Sequence, residues 1–116
     1  MDPAQAKGGT LMRFIGYEET TPGYGFSLMK DCLEKEPHPH KERIVRFLLR
    51  GGAVEFARVS RAKDVFTGKH IPYEVLVRSD GDYFWATTLA WYVEQYNLRL
   101  PEDFERYILA RMQRGH

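Results

Sequence analysis

The sequence predicts a small α+β domain: an antiparallel sheet of about three to four strands packed with about four helices. Three observations carry this expectation. The apolar spacing is helical up to Arg50 and changes to alternation from Ala53 onward. Ser79-Asp80-Gly81-Asp82 lies between two strand-like runs, and Asp-Gly accepts positive φ at little cost, which marks a hairpin. After the return run Tyr83-Phe84-Trp85, two helical stripes follow one another to the C-terminus.

Taken in order, residues 1–11 lack periodicity and contain a Gly-Gly pair, so they are expected to be a flexible lead-in, with Met12 an alternative start. Residues 12–116 form the single domain. Met12 to Tyr17 alternates like a short strand, and Thr20 to Gly25 has turn chemistry from Pro22 and two glycines. Phe26, Met29 and Leu33 share one helical face, predicting a helix over about Ser27–Lys35 that Pro37 and Pro39 stop. A second helix, about His40–Arg50, buries Ile44, Phe47 and Leu48, with Gly51 or Gly52 as its left-handed cap. From Ala53, Val54 and Phe56 are expected on one strand face and Glu55 and Ala57 on the other. Glu74–Arg78 is the next strand, and three antiparallel strands are the economical arrangement. Thr87 or Thr88 caps a helix over Leu89–Tyr96, with Leu89, Tyr92, Val93 and Tyr96 as its buried stripe and Asn97 as its C-cap. Pro101 opens a last helix in which Phe104, Ile108 and Met112 repeat at buried spacing.

At 116 residues the chain is too short for two good cores. Its 43% hydrophobic and 28% charged content is ordinary globular composition, which argues against disorder. Aromatic residues, at 14%, are abundant enough for a few rings to stabilise a small core or to serve a partner. The apolar runs are far shorter than the ~20 residues of a membrane span, and the polar N-terminus resembles no signal peptide. Cys32 is the single cysteine, so no internal disulfide forms, and a cytoplasmic setting is expected. The net charge of +1 gives no global argument for nucleic acid. Its distribution is more informative, because residues 38–70 carry +5 between flanks of −2 each.

No catalytic set stands out. Cys32, His38 and His40 lack the converging spacing of a zinc site, and a free thiol on an apolar stripe behaves as a small hydrophobe. The glycines of Thr20–Phe26 match no phosphate-binding loop, and Asp80 and Asp82 lack the further oxygen ligands of a calcium loop. No cofactor or metal is expected. The basic segment is the stronger candidate. Lys41, Arg43, Arg46 and Arg50 go around a helix rather than along one line, as a diffuse patch that Arg58, Arg61, Lys63 and Lys69 extend. Phosphates would need these charges on one face, with Tyr73, Tyr83 or Trp85 available for stacking; an acidic protein or plain solvent suits the same patch.

The stretch from Asp80 to Phe104 is the most distinctive. It joins a D-G turn, Trp85, the helix Leu89-Ala90-Trp91-Tyr92-Val93 and a closing Leu100-Pro101-Glu102-Asp103-Phe104. This pattern resembles that of small uncharacterised bacterial and mobile-element proteins, some of them immunity-like. The resemblance covers about a third of the chain and implies source and scaffold; it brings no catalytic residues with it. Trp91 lies off its helix stripe and is expected to be partly exposed, a composition typical of interface anchors. The expectation is a non-enzymatic modulator that binds a protein partner through Trp91, Tyr83 or Tyr73 and the Arg43-Arg46-Arg50 region. The alternative is a nucleic-acid-binding accessory protein.

Overall fold

A computed structural model describes residues 12–57 and 62–112. The expected lead-in, together with Arg58 and Arg61, lies outside the described residues. Among the described residues alternation produces four strands, β1 (Arg13–Ile15), β2 (Ala53–Ala57), β3 (Leu76–Ser79) and β4 (Tyr83–Ala86), in the order β1-β4-β3-β2. The β2–β3 and β3–β4 pairs are antiparallel, as expected from the turns that join them. β1 instead runs parallel to β4, setting Phe14 beside Phe84 and Ile15 beside Trp85. The sheet is therefore mixed. Between the hairpin strands, Asp80 Oδ1 accepts the N–H groups of Asp82 and Tyr83 while Gly81 takes φ 99°.

Among the described residues three helices accompany the sheet: α1 (Lys41–Arg50), α2 (Thr88–Tyr96) and α3 (Glu102–Met112). The helix expected over Ser27–Lys35 is reduced to a 3₁₀ turn, Met29–Cys32. Its residues keep the predicted burial of Met29, but their backbone is used elsewhere. The Glu19 carboxylate accepts from the N–H groups of Met29 and Lys30. Arg99 N–H donates to the Cys32 carbonyl and Glu34 N–H to that of Asn97. Tertiary pairing with the segment after α2 thus replaces the helical ladder that the apolar spacing favours.

The core gathers on one face of the sheet. Trp85 is fully buried there, 5.2 Å from the Phe47 ring of α1 and 5.7 Å from the Phe104 ring of α3. Ile44 and Leu48 of α1, and Phe104 and Ile108 of α3, fill the same layer. In α2, Leu89, Tyr92 and Val93 are buried as expected while Tyr96 is half-buried, and Asn97 closes the helix at φ 56°. Thr87 precedes α2 without capping it. Its hydroxyl accepts from Leu76 N–H and donates to the Glu74 carbonyl, pinning the start of β3 instead. At α3 the buried Glu105 carboxylate reaches back to Leu100 N–H and takes two bonds from Arg99. Among the described residues, no helix is long and apolar enough to cross a membrane.

The junction of α1 and β2 constrains the fold most tightly. Gly51 continues the chain in extended conformation and Gly52 takes the left-handed φ of 64°. A Cβ on Gly52 would come within 2.1 Å of the Ser79 carbonyl oxygen, so the backbone of β3 leaves room for no side chain. Gly52→Ala should therefore destabilise the protein by at least ~2 kcal/mol. Urea unfolding followed by tryptophan fluorescence will measure it, and a wild-type midpoint would contradict this account of the junction.

Candidate binding site

Strict alternation would put Val54 and Phe56 on the same side of β2. The register shifts between them: Val54 pairs with Arg78, and Phe56 pairs with Val77. Paired residues of an antiparallel ladder share a face, so a bulge at Glu55 sends Val54 and Phe56 to opposite sides. Arg78 turns with Trp85 toward α1. Phe56 turns with Val77 to the other face, where Glu55 also accepts a 2.6 Å hydrogen bond from the Ser79 hydroxyl. All five residues of β2 are exposed, Phe56 at 58% and Val54 at 48%.

That second face holds a groove of about 750 Å³. Phe14, Phe84, Val77 and Ala86 form its floor, Phe56 and Tyr24 stand at its edges, and Leu89 and Tyr92 of α2 close one end. The Phe14 and Phe84 rings lie 4.8 Å apart, and Phe26 continues the row at 5.6 Å from Phe14. Glu19 and Lys63 supply the charge in its lining. The Glu19 carboxylate is held below its ordinary pKa because its bonds to Met29 and Lys30 N–H outweigh desolvation by burial. A mostly apolar concavity of this size, with few polar groups, is the usual form of a binding site. Its geometry suits apolar or aromatic side chains from a partner. Comparison of the chain with protein-family models, curated proteins and solved structures gives no match.

The residues picked from sequence do not converge on this groove. Lys63 lines it, and Arg58 and Arg61 lie outside the described residues. Tyr83 is half-buried on the opposite face, between Phe104 at 4.7 Å and Tyr107 at 4.6 Å. Tyr73 and Trp91 form an edge-on pair, 6.5 Å apart. Arg43, Arg46 and Arg50 fall at i, i+3 and i+7 along α1, all exposed, so they form one stripe and not the diffuse ring expected. Only Lys41 departs from it, with its Nζ bonded to Asn97 Oδ1 at 2.8 Å. The groove on the sheet was missed from sequence because alternation carries no signal of a bulge.

Trp91 is half-buried for a specific reason. Its Nε1–H donates to Asp64 Oδ2 at 2.9 Å, and the Tyr96 hydroxyl donates to the same oxygen at 2.6 Å. Asp64 Oδ1 takes Phe66 N–H and, more weakly, Thr67 N–H, so one buried carboxylate ties the 64–68 turn to α2. Desolvation by burial opposes its charge, but these four bonds win and hold its pKa below the ordinary aspartate value. His38 is also held below its usual pKa, by burial and by Arg99 and His40, against the pull of Glu105. Among the described residues no three His, Cys, Asp or Glu side chains could hold a metal ion.

Asp64 stabilises the fold in its charged form, since its folded pKa lies below the unfolded one. Its contribution is present above the unfolded value of about 4 and is lost as the pH falls through the folded one. Asp64→Asn should cost ~2 kcal/mol at neutral pH, since it weakens bonds to a buried group, and should flatten the acid limb of stability. Urea midpoints measured from pH 7 down to pH 2 test both; an unchanged acid limb would contradict the assignment.

Proposed function

We propose that this is a non-enzymatic binding protein that occludes or modulates a protein partner, engaging it on the second face of the sheet. The observation that carries the reading is Phe56 of β2, which is 58% exposed and continues the aromatic groove, on a strand that ends the sheet among the described residues. Among the described residues β2 is the last strand of the sheet, and proteins usually shorten, charge or cover strands at that position. Here the bulge delivers a large apolar ring to the groove, where alternate side chains of an extended partner segment would sit. Tyr24, at 59% exposure, adds a second ring at the rim. Together these leave an apolar surface suited to a partner.

Nucleic acid bound by the basic segment is the second reading. Arg43, Arg46 and Arg50 favour it, as aligned and exposed cations. Contact through phosphates would make affinity fall steeply with salt.

Photocrosslinking in cells of the source organism tests the first reading. A benzoylphenylalanine replacing Phe56 should give one dominant protein adduct, whereas the same group replacing the exposed Arg106 of α3 should give none. Equal labelling from both positions, or no adduct from position 56, would contradict the proposed face.

A further inference from the structure

The outer side of α1 carries a different chemistry from the sheet groove. A shallow concavity of about 610 Å³ runs between α1 and α2. Val45 and Leu49, both half-buried, form an apolar floor; Arg46 and Arg50 stand along one side, and Glu94 of α2 is on the other. Arg43 extends the cationic row by one turn.

The pairing of the arginines separates this place from the rest of the surface. Arg13, Arg99, Arg106 and Arg111 each face a carboxylate, and Arg78 donates to the carbonyls that end α1. Arg43, Arg46 and Arg50 have no such partner among the described residues. Three aligned guanidinium groups without partners beside two apolar side chains make a surface with both charge and hydrophobic demand. We infer that this groove binds an acidic amphipathic segment of a protein, with carboxylates on Arg46 and Arg50 and apolar side chains on Val45 and Leu49. Guanidinium favours such contacts because its planar donor fork matches a carboxylate.

The composition of the groove favours a peptide over a nucleic-acid strand. Glu42 and Glu94 also line it, and both would repel a run of phosphates. None of its lining residues is aromatic, so it offers no ring on which a base could stack. A mixed peptide can set uncharged or basic residues near Glu42 and Glu94 and place its acids on Arg46 and Arg50, which a uniform run of phosphates cannot do. This surface is separate from the face that holds Phe56, so either assignment can fail without the other.

The test is fluorescence anisotropy on the full chain at low salt. The probe is a short fluorescein-labelled peptide of glutamate and leucine at amphipathic helical spacing; a labelled oligothymidylate is the competitor class. Saturable peptide binding should weaken about tenfold or more in the Arg46→Glu/Arg50→Glu variant, as two attractive contacts become repulsive. Leu49→Gln should weaken it several-fold without any change in charge. Absent binding, or binding unaffected by the double charge reversal, overturns the proposal. So does oligothymidylate that binds more tightly than the peptide and is lost in the same variant. If Leu49→Gln loses its fold by circular dichroism, a probe with serine in place of leucine reads the apolar floor from the ligand side. Equal affinity for that probe would also overturn the proposal.

Discussion

The arrangement of this protein depends on how the C-terminal end of α1 is satisfied. The last carbonyls of a helix have no partner within it and must find donors elsewhere. Here the donors are cross-strand neighbours in the sheet, Arg78 of β3 and Trp85 of β4. Trp85 Nε1–H bonds to the Leu48 carbonyl at 2.8 Å, and Arg78 bonds to those of Arg50 and Gly51 at 3.1 and 2.7 Å. The cation also sits at the negative end of the helix dipole. Burial of the Trp85 ring removes on the order of 200 Å² from water, worth roughly 5 kcal/mol as an upper figure. One pair of side chains therefore fixes the orientation of α1, and α3 closes over the same ring through Phe104.

This constraint determines which surfaces remain for a partner. Because Trp85 and Arg78 face α1, Phe84 and Val77 must face the other way, where Phe14 joins Phe84. The bulge in β2 adds Phe56 to that side and leaves Val54 on the other. The aromatic groove is thus a direct consequence of strand register and of where the helices settle. The same docking leaves the polar side of α1 outward, so Arg43, Arg46 and Arg50 form a stripe on solvent.

Much of the scaffold was legible in the sequence because its signals are local. The Asp80-Gly81 hairpin, the span of α1, the Asn97 cap and the start of α3 after Pro101 each rest on a few adjacent residues. The features that were not legible are set by distant partners. Met29–Cys32 gives up its helix to bonds donated to the Glu19 carboxylate and accepted from Arg99 N–H, and β1 joins β4 in parallel across most of the chain. The functional surfaces were harder still. Trp91 is half-buried, as its place off the helix stripe suggested, but the bond that holds its N–H to Asp64 is one that helical spacing cannot reveal. Phe56 looked like an ordinary alternating residue, and only the register shift shows it joining the groove. The arginine stripe was read as a diffuse patch, because Lys41 lies away from the line that Arg43, Arg46 and Arg50 make at i, i+3 and i+7.

Among the described residues, the sheet has one face held by helices and a second face open at β2. The most direct measurement is solution NMR of the aromatic side chains with a soluble gadolinium chelate, which broadens protons that solvent can approach. The account predicts strong broadening for Phe56 and Tyr24, and little for Trp85 and Phe104. Protection of Phe56 equal to that of Trp85 would contradict it, because the second face would then be covered by the protein itself.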